Sequence, residues 1–401
     1  MTVSSILKAS KDMTPAATSP SRPLRTLHVL ASLHLGGVEK WLMEVVRSVS
    51  RNELVIDVCL TQNTTGAYED EFRRLGGRVF RCPLGRNPWR FAARFQGLAA
   101  SEQYDVIHSH VYFFSGFVLR AAAKAGVPQR IAHIHSANDL KPGGWFRPVY
   151  AAWMRRWIRT YGTHVVGPSR ASLEGFWGTG WEADPRRRVL YYGIPIERFL
   201  ASVDAAVLRE ELDLPRDARL VLNVGRYIPT KRHLLLVDIA SDILSRRDDV
   251  YFILIGDGPL QESVQQRVCE AGLSPRFRFI PVRPDIDRYW LSADVFVFPS
   301  TSEGFGIVIA EAAAAGLPVV AHDIPGVREA AAACTLAKLL PLAANAHEWA
   351  ICVDAALQKP APGYDERAQM LRRFPFSIQA SVESLKELYG LARVVETASV
   401  C

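Results

Sequence analysis

The run Phe298-Pro299-Ser300-Thr301-Ser302-Glu303-Gly304-Phe305-Gly306-Ile307-Val308-Ile309-Ala310-Glu311-Ala312-Ala313-Ala314-Ala315-Gly316-Leu317-Pro318 decides how this chain folds. It begins at the end of an apolar run, residues 295–298, and leads into another, residues 318–321. Short apolar runs of this kind read as strands buried on both faces of a sheet. Residues 305–315 between them read as a helix, stopped by Gly316 and Pro318. Strand, loop, helix and strand make one crossover unit of a parallel sheet. The loop is polar. Ser300, Thr301 and Ser302 are cap-forming residues. Gly304 and Gly306 leave backbone N–H groups open at a helix start. Glu303 falls in the loop and Glu311 two turns along the helix, and each carboxylate can accept two hydrogen bonds from ligand hydroxyls. A buried helix with one exposed glutamate accounts for the four alanines but not for both carboxylates together.

The same unit recurs on either side. In the second half, strands are expected at 220–224, 250–255, 277–282, 295–298 and 318–321, with helices at 231–245, 261–271 and 305–315. In the first half, strands are expected at 27–31, 54–60, 106–110, 130–135 and 164–167, with helices at 38–49, 116–125 and 151–160. Two such series predict an α/β protein of two doubly wound domains facing each other across a cleft. The boundaries read as 24–200 and 201–375, with a linker near 195–215. The chain has 401 residues, which suits two domains of about 100–200 residues each. Residues 1–23 are rich in Ser, Thr, Pro and Lys and read as a disordered tail. Ile378, Val382, Leu385 and Tyr389 have helical spacing. They predict a final helix over 376–395 that can cross back to the first domain.

Composition narrows the class. Hydrophobic residues make up 49% of the chain, so it has apolar mass for two cores. No apolar run approaches the roughly 18 residues of a membrane span, and the N-terminus lacks a signal-peptide h-region. The expectation is a cytoplasmic protein that can touch the inner face of the cytoplasmic membrane peripherally. Six scattered cysteines without a CxxC pair read as reduced thiols and make a zinc site improbable. Residues 1–200 hold 27 Lys+Arg against 15 Asp+Glu, a net +12, and the remainder nets −5. A basic first half suits anionic lipid, nucleic acid or an acidic substrate, or is simply a solvated surface. No nucleic-acid reading motif is present, so nucleic acid is not expected as a partner.

Ligands of doubly wound sheets bind beyond the carboxyl ends of the strands, and the unusual residues fall there. Gly36 and Gly37 follow the first strand and start a helix, where open N–H groups and the helix dipole favour a diphosphate. The spacing is not GxGxxG, so a nicotinamide dinucleotide is not supported. His108, His110, His133 and His135 cluster at two strand ends, where imidazole can donate to hydroxyls or phosphate. A metal is disfavoured there without an acidic co-ligand. Gly225, Arg226 and Lys231 follow the first strand of the second domain. Two cations at a helix start are unfavourable alone, so they point to an anionic ligand, with no metal required. Asp285-Ile286-Asp287 spells DxD, a metal-holding pattern elsewhere, but aspartates before a helix also serve as caps.

Taken in order, these segments resemble the retaining glycosyltransferases of family 4, whose fold is GT-B, two Rossmann-like domains facing across a cleft. The likeness covers roughly residues 25–390 and rests mainly on Glu303-Gly-Phe-Gly and Glu311. Ile255-Gly-Asp-Gly-Pro259 matches a common family turn, and Tyr192-Gly-Ile-Pro195 resembles an Asn-Gly-Ile-Asp turn with Tyr192 and Pro195 departing from it. The resemblance implies a nucleotide-sugar donor, UDP- or GDP-linked, and no cofactor or metal. It implies Gly37 against the donor diphosphate and Arg226 and Lys231 stabilising it as it leaves. Glu303 would hold donor-sugar hydroxyls beside Gly304 and the N–H groups of Phe305 and Gly306. Glu311 would bind the ribose, and Val282 and Arg283 would lie at the base. His135 matches a histidine near the transferred sugar, with His110 a lesser candidate. No protein nucleophile is implied: the acceptor would attack from the same face while the leaving phosphate oxygen takes its proton.

The acceptor is expected on the first domain, as a glycan or lipid-linked intermediate of surface polysaccharide synthesis. Two stretches there are basic and aromatic: Arg86 through Trp89, Arg90 and Phe95, and Trp145 through Trp153, Trp157 and Arg159. Such mixtures can seat a helix on an anionic membrane. The second stretch is read as core aromatics with solvated arginines, and the first stays open. Competing readings are a GT-B sugar-nucleotide epimerase and a scaffold that kept the fold without activity.

Overall fold

The structure is a computed structural model and describes residues 22–85, 87–136, 146–283, 285–360 and 362–391. The tail before residue 22, Arg86, Trp145 and the end of the expected 376–395 helix beyond residue 391 lie outside the described residues.

Two parallel sheets form the framework. The first holds β1 (Leu24–Leu30), β2 (Leu54–Leu60), β3 (Val79–Arg81), β4 (Val106–Ser109), β5 (Gln129–His133), β6 (His164–Gly167) and β7 (Arg187–Val189). The second holds β8 (Arg219–Val224), β9 (Val250–Ile255), β10 (Phe277–Ile280), β11 (Val295–Phe298), β12 (Val319–His322) and β13 (Ala337–Leu340). Their spatial orders are β3-β2-β1-β4-β5-β6-β7 and β10-β9-β8-β11-β12-β13. Each order reverses once, between β1 and β4 and between β8 and β11. A crevice opens at such a reversal because the connecting helices leave to opposite faces.

Central strands are apolar throughout because helices cover both faces: β11 is Val-Phe-Val-Phe, buried at all four positions. The edge strands β3, β7 and β13 were not expected from sequence. They have three or four residues each and carry Arg or Lys on a half-exposed surface, too short a run to show a period. Helix starts follow cap chemistry. Asn87 accepts from the N–H groups of Trp89 and Arg90, with Pro88 as the first helical residue. Asn345 and Glu348 form a reciprocal capping box. The helix Ile307–Ala315 starts two residues later than expected, because Gly306 takes a left-handed φ of 80° and holds Phe305 outside it.

The final helix, Ile378–Tyr389, packs on the first domain. The Trp41 indole N–H donates to Ser381 Oγ at 2.9 Å, and the Gln129 amide to the Leu388 carbonyl at 2.7 Å. Its entry is fixed by a bridge between Ile194 and Ser377. Gly193 lies so close that a Cβ there would sit 2.6 Å from the Ile378 Cα. Among the described residues no helix is long and apolar enough to cross a membrane.

Candidate active site

The two reversals face each other, and a cavity of about 590 Å³ lies between them. Four strand ends supply its walls. Beyond β1 come Ser32 to Glu39; beyond β5, His135 and Ser136; at the end of β8 and after it, Val224 to Lys231; beyond β11, Ser302 to Val308. Nine of the residues expected at the site share this cavity: Gly36, Gly37, His135, Arg226, Lys231, Glu303, Gly304, Phe305 and Gly306.

Glycines set how closely the walls approach. A Cβ on Gly304 would stand 1.9 Å from the His135 carbonyl oxygen, so the second-sheet loop touches the first-sheet backbone only because residue 304 has no side chain. Ser169 donates to the Gly304 carbonyl and fixes the contact from the other side. Gly225 lies under the Lys231 stem. The Gly256-Asp257-Gly258 turn buttresses the Arg226 loop: the Tyr227 N–H donates to the Asp257 carbonyl at 2.7 Å, and a Cβ on Gly256 would collide with the Gly225 carbonyl.

Charged side chains from both domains line the cavity: Glu39, Arg226, Lys231 and Glu303. Lys231 pairs with Glu303 and lies 4.7 Å from the centre of the Phe298 ring. Arg226 is exposed at the cavity wall, and its guanidinium makes no ion pair or hydrogen bond among the described residues. Glu39 was not singled out from sequence. Its carboxylate folds back over Gly36 at the start of the helix Gly37–Ser48, where a phosphate would sit. Burial holds its pKa above the usual carboxylate range, against the opposing pull of its own backbone N–H and of Arg226. His135 is pushed down to about 3 by burial, so it is a neutral imidazole.

The other expected residues lie elsewhere. Glu311 is buried and pairs with Lys40 of the first domain, behind the cavity wall. That partner is 271 positions away in sequence, so nothing local announces it. Arg283 is engaged by Asp285 and by the Tyr289 hydroxyl, and neither it nor Val282 lines the cavity, because β10 ends at Ile280 and both follow it on the rim. Asp285 faces Arg283, and Asp287 starts the helix Asp287–Ser292 near Arg198, so the DxD pair serves structure. His110 does not line the cavity. It lies half-buried behind His135 and hydrogen-bonds it at 2.8 Å. Tyr192 joins the cavity lining, and its hydroxyl meets His135 Nδ1. Among the described residues, the groups able to gather three metal ligands are His28-His108-His110 and His110-His133-His135.

Neither Trp89 nor Arg90 lines the cavity. Trp89 meets Trp157 edge-on, and the Arg120 guanidinium lies 5.3 Å and 4.8 Å from the two ring centres. The second aromatic stretch departs from the core reading. Ala151, Met154 and Ile158 face inward, whereas Phe146, Val149 and Trp153 are 63%, 67% and 43% exposed. Helical period divides the stretch between two faces.

The family described as Glycosyl transferases group 1 matches residues 204–371, and the Glycosyl transferase 4-like domain matches residues 36–193. EpsF of Bacillus subtilis (strain 168) is 27% identical over 372 residues, covering 92% of this chain and 97% of that protein. A D-inositol 3-phosphate glycosyltransferase of Mycobacteroides abscessus is 32% identical over 385 residues, covering 89% and 85%. The crystal structure of Anabaena HepE in complex with UDP and glucose superposes with a TM-score of 0.75 at 21% identity, over 92% of this chain and all of that one.

Proposed function

This chain belongs to the family Glycosyl transferases group 1 and is a glycosyltransferase of GT-B fold, and from that premise we propose that it moves a sugar from a nucleoside-diphosphate donor with retention of configuration. The observation that carries the reading is the meeting of Arg226, Lys231 and the Gly37 helix start in one cavity with the Glu303 loop. Two fixed cations and open N–H groups would neutralise a diphosphate as the glycosidic bond breaks, which is the place a metal ion would otherwise take. Glu303, lifted from Lys231 when phosphate arrives, would accept hydrogen bonds from sugar hydroxyls. A leaving phosphate oxygen would take the acceptor proton while the acceptor attacks from the same face. The protein's part is then positioning and electrostatics. HepE, bound to UDP and glucose, supports a uridine donor.

The acceptor we propose is a lipid-linked intermediate of surface polysaccharide synthesis, met at a membrane face. Trp89, Phe146, Val149 and Trp153 are exposed beside Arg90, Arg94 and Arg156, and the helices that carry them share one layer of the first domain. Apolar side chains ringed by arginine suit an anionic lipid surface.

A thermal-shift screen against UDP-, GDP- and ADP-sugars in EDTA tests the donor. A ligand at a hundred times its Kd stabilises the native state by about 2.7 kcal/mol. One nucleotide raising the melting temperature without metal is expected; no shift with any of them contradicts the reading. Co-sedimentation with anionic liposomes at low salt, reduced by Trp89→Ala with Trp153→Ala, tests the membrane face, and absence of binding contradicts it.

A further inference from the structure

Beneath the cavity lies a cluster of buried rings that the proposed reaction does not use. Register explains it. His28 on β1 is the direct partner of His108 on β4. Side chains alternate along a strand, so His110 shares the face of His108, and His135 that of His133. The five imidazoles therefore crowd one face of the sheet, with ring centres 4.1–5.2 Å apart.

Four of them form a single hydrogen-bonded chain with two tyrosines. It runs from Tyr192 Oη to His135 Nδ1, from His135 Nε2 to His110 Nδ1 at 2.8 Å, and from His110 Nε2 to His28 Nδ1 at 3.0 Å. From His28 Nε2 it continues to Tyr389 Oη at 3.1 Å, and from there to His108 Nδ1 at 2.8 Å. Burial pushes all four imidazoles far down, so each is neutral and carries one ring hydrogen. A neutral imidazole donates at one nitrogen and accepts at the other, so the two links of each histidine point the same way. A mixed arrangement, in which His28 and His108 both donate to the Tyr389 oxygen, strands that buried hydroxyl hydrogen, and without it two arrangements pass one hydrogen along every link in the same direction. Either all four histidines carry hydrogen on Nδ1, or all four carry it on Nε2.

The ends decide between them. The inner end is His108 Nε2, fully buried with no partner among the described residues. Hydrogen on Nε2 would bury an N–H with nothing to accept it there. Hydrogen on Nδ1 leaves only a bare ring lone pair, the lesser penalty. The outer end is Tyr192, which lines the cavity. With hydrogen on Nδ1, His135 donates to the Tyr192 oxygen, and the hydroxyl hydrogen is released to the cavity.

We infer that this chain is polarised by its buried dead end, with Nδ1–H on His28, His108, His110 and His135, so that Tyr192 is held as a hydrogen-bond donor aimed at an anionic or hydroxyl oxygen of the cavity ligand. The final helix organises both ends. Its first turn pins the Tyr192–Gly193 turn, and Tyr389 is its last residue. This also gives a reason for tyrosine where the resembling family's turn has asparagine. Tyr192 is a binding residue; His110, His28, Tyr389 and His108 act through it as positioning residues. The identity of the ligand rests on the donor reading above; the direction of the chain does not.

Neutron diffraction on deuterium-exchanged crystals reads each ring hydrogen, and calorimetric titration reads the consequence. The probe is whichever of UDP-, GDP- and ADP-glucose gives the largest thermal shift. Expected are deuterium on Nδ1 of all four histidines and a loss of about tenfold or more in affinity in Tyr192→Phe, the worth of one hydrogen bond to a charged group. Deuterium on Nε2 along the chain overturns the inference, as does a transition-metal ion between His110 and His135, or unchanged affinity in a folded Tyr192→Phe. If the wild type binds no nucleotide sugar, the donor reading fails, and the neutron result alone upholds or overturns the chain's direction.

Discussion

At the scale of single residues, the site is defined as much by missing side chains as by charged ones. Gly304→Ala would drive a methyl group into the His135 carbonyl. Overpacking of that kind costs about 1–3 kcal/mol, or forces the two walls apart. The expected outcome is a melting temperature lowered by several degrees together with loss of transfer, read by calorimetry and a transfer assay; wild-type behaviour in both would show that the contact is not needed. Glu303, Arg226 and Lys231 could be picked out from sequence because charges at strand ends beside glycine have few structural uses. Glu39 and Tyr192 could not. One is an ordinary first-turn carboxylate of a helix, and the other looked like a departure from a turn pattern. Only their placement beside the cavity gives them a part. Glu311 shows the converse. Its position was conspicuous, but its partner Lys40 comes from the other domain.

At the scale of elements, the strands most legible in the sequence were the central ones, where burial on both faces leaves an unbroken apolar run. The short edge strands escaped because three residues cannot show a period. The histidine pairs on β4 and β5 were visible as a pattern, but strand order alone turns two pairs into one cluster with His28. That cluster makes the first sheet sensitive to acid. His28 and His135 stand at about 3 when folded, against 6.5 for a free imidazole, because burial disfavours their charged form. Their folded-state pKa values are depressed, so the unfolded chain binds more protons between those two values. The stability they confer is full above about pH 6.5 and is lost as pH falls from there. Each such imidazole removes up to about 1.4 kcal/mol per pH unit in that window. The melting temperature is predicted to be level above about pH 6.5 and to fall steeply below it; a flat profile from about pH 7 to 4 would mean that these rings are not held neutral in the fold.

At the scale of the whole molecule, polar contacts tie the two domains together beside and behind the cavity. Glu329 of the second domain accepts from the N–H groups of Arg170 and Ala171 at 2.9 and 2.8 Å, so it caps a helix of the first domain across the interface. Lys40 with Glu311 and Arg198 with Glu44 hold other parts of the interface and its linker. Losing a helix cap costs about 1 kcal/mol. Glu329→Ala is expected to widen the angle between the domains, seen as a larger radius of gyration in solution scattering, and to weaken donor binding severalfold. An unchanged radius and affinity would show that closure does not depend on it. We propose that this interface holds a nucleoside-diphosphate sugar by Arg226 and Lys231 without a metal. The most direct test is calorimetric titration of UDP-glucose in EDTA into the wild type and Lys231→Ala. Binding by the wild type is expected, with affinity at least tenfold weaker in the variant; equal affinity in the two proteins would rule out Lys231 as a donor ligand.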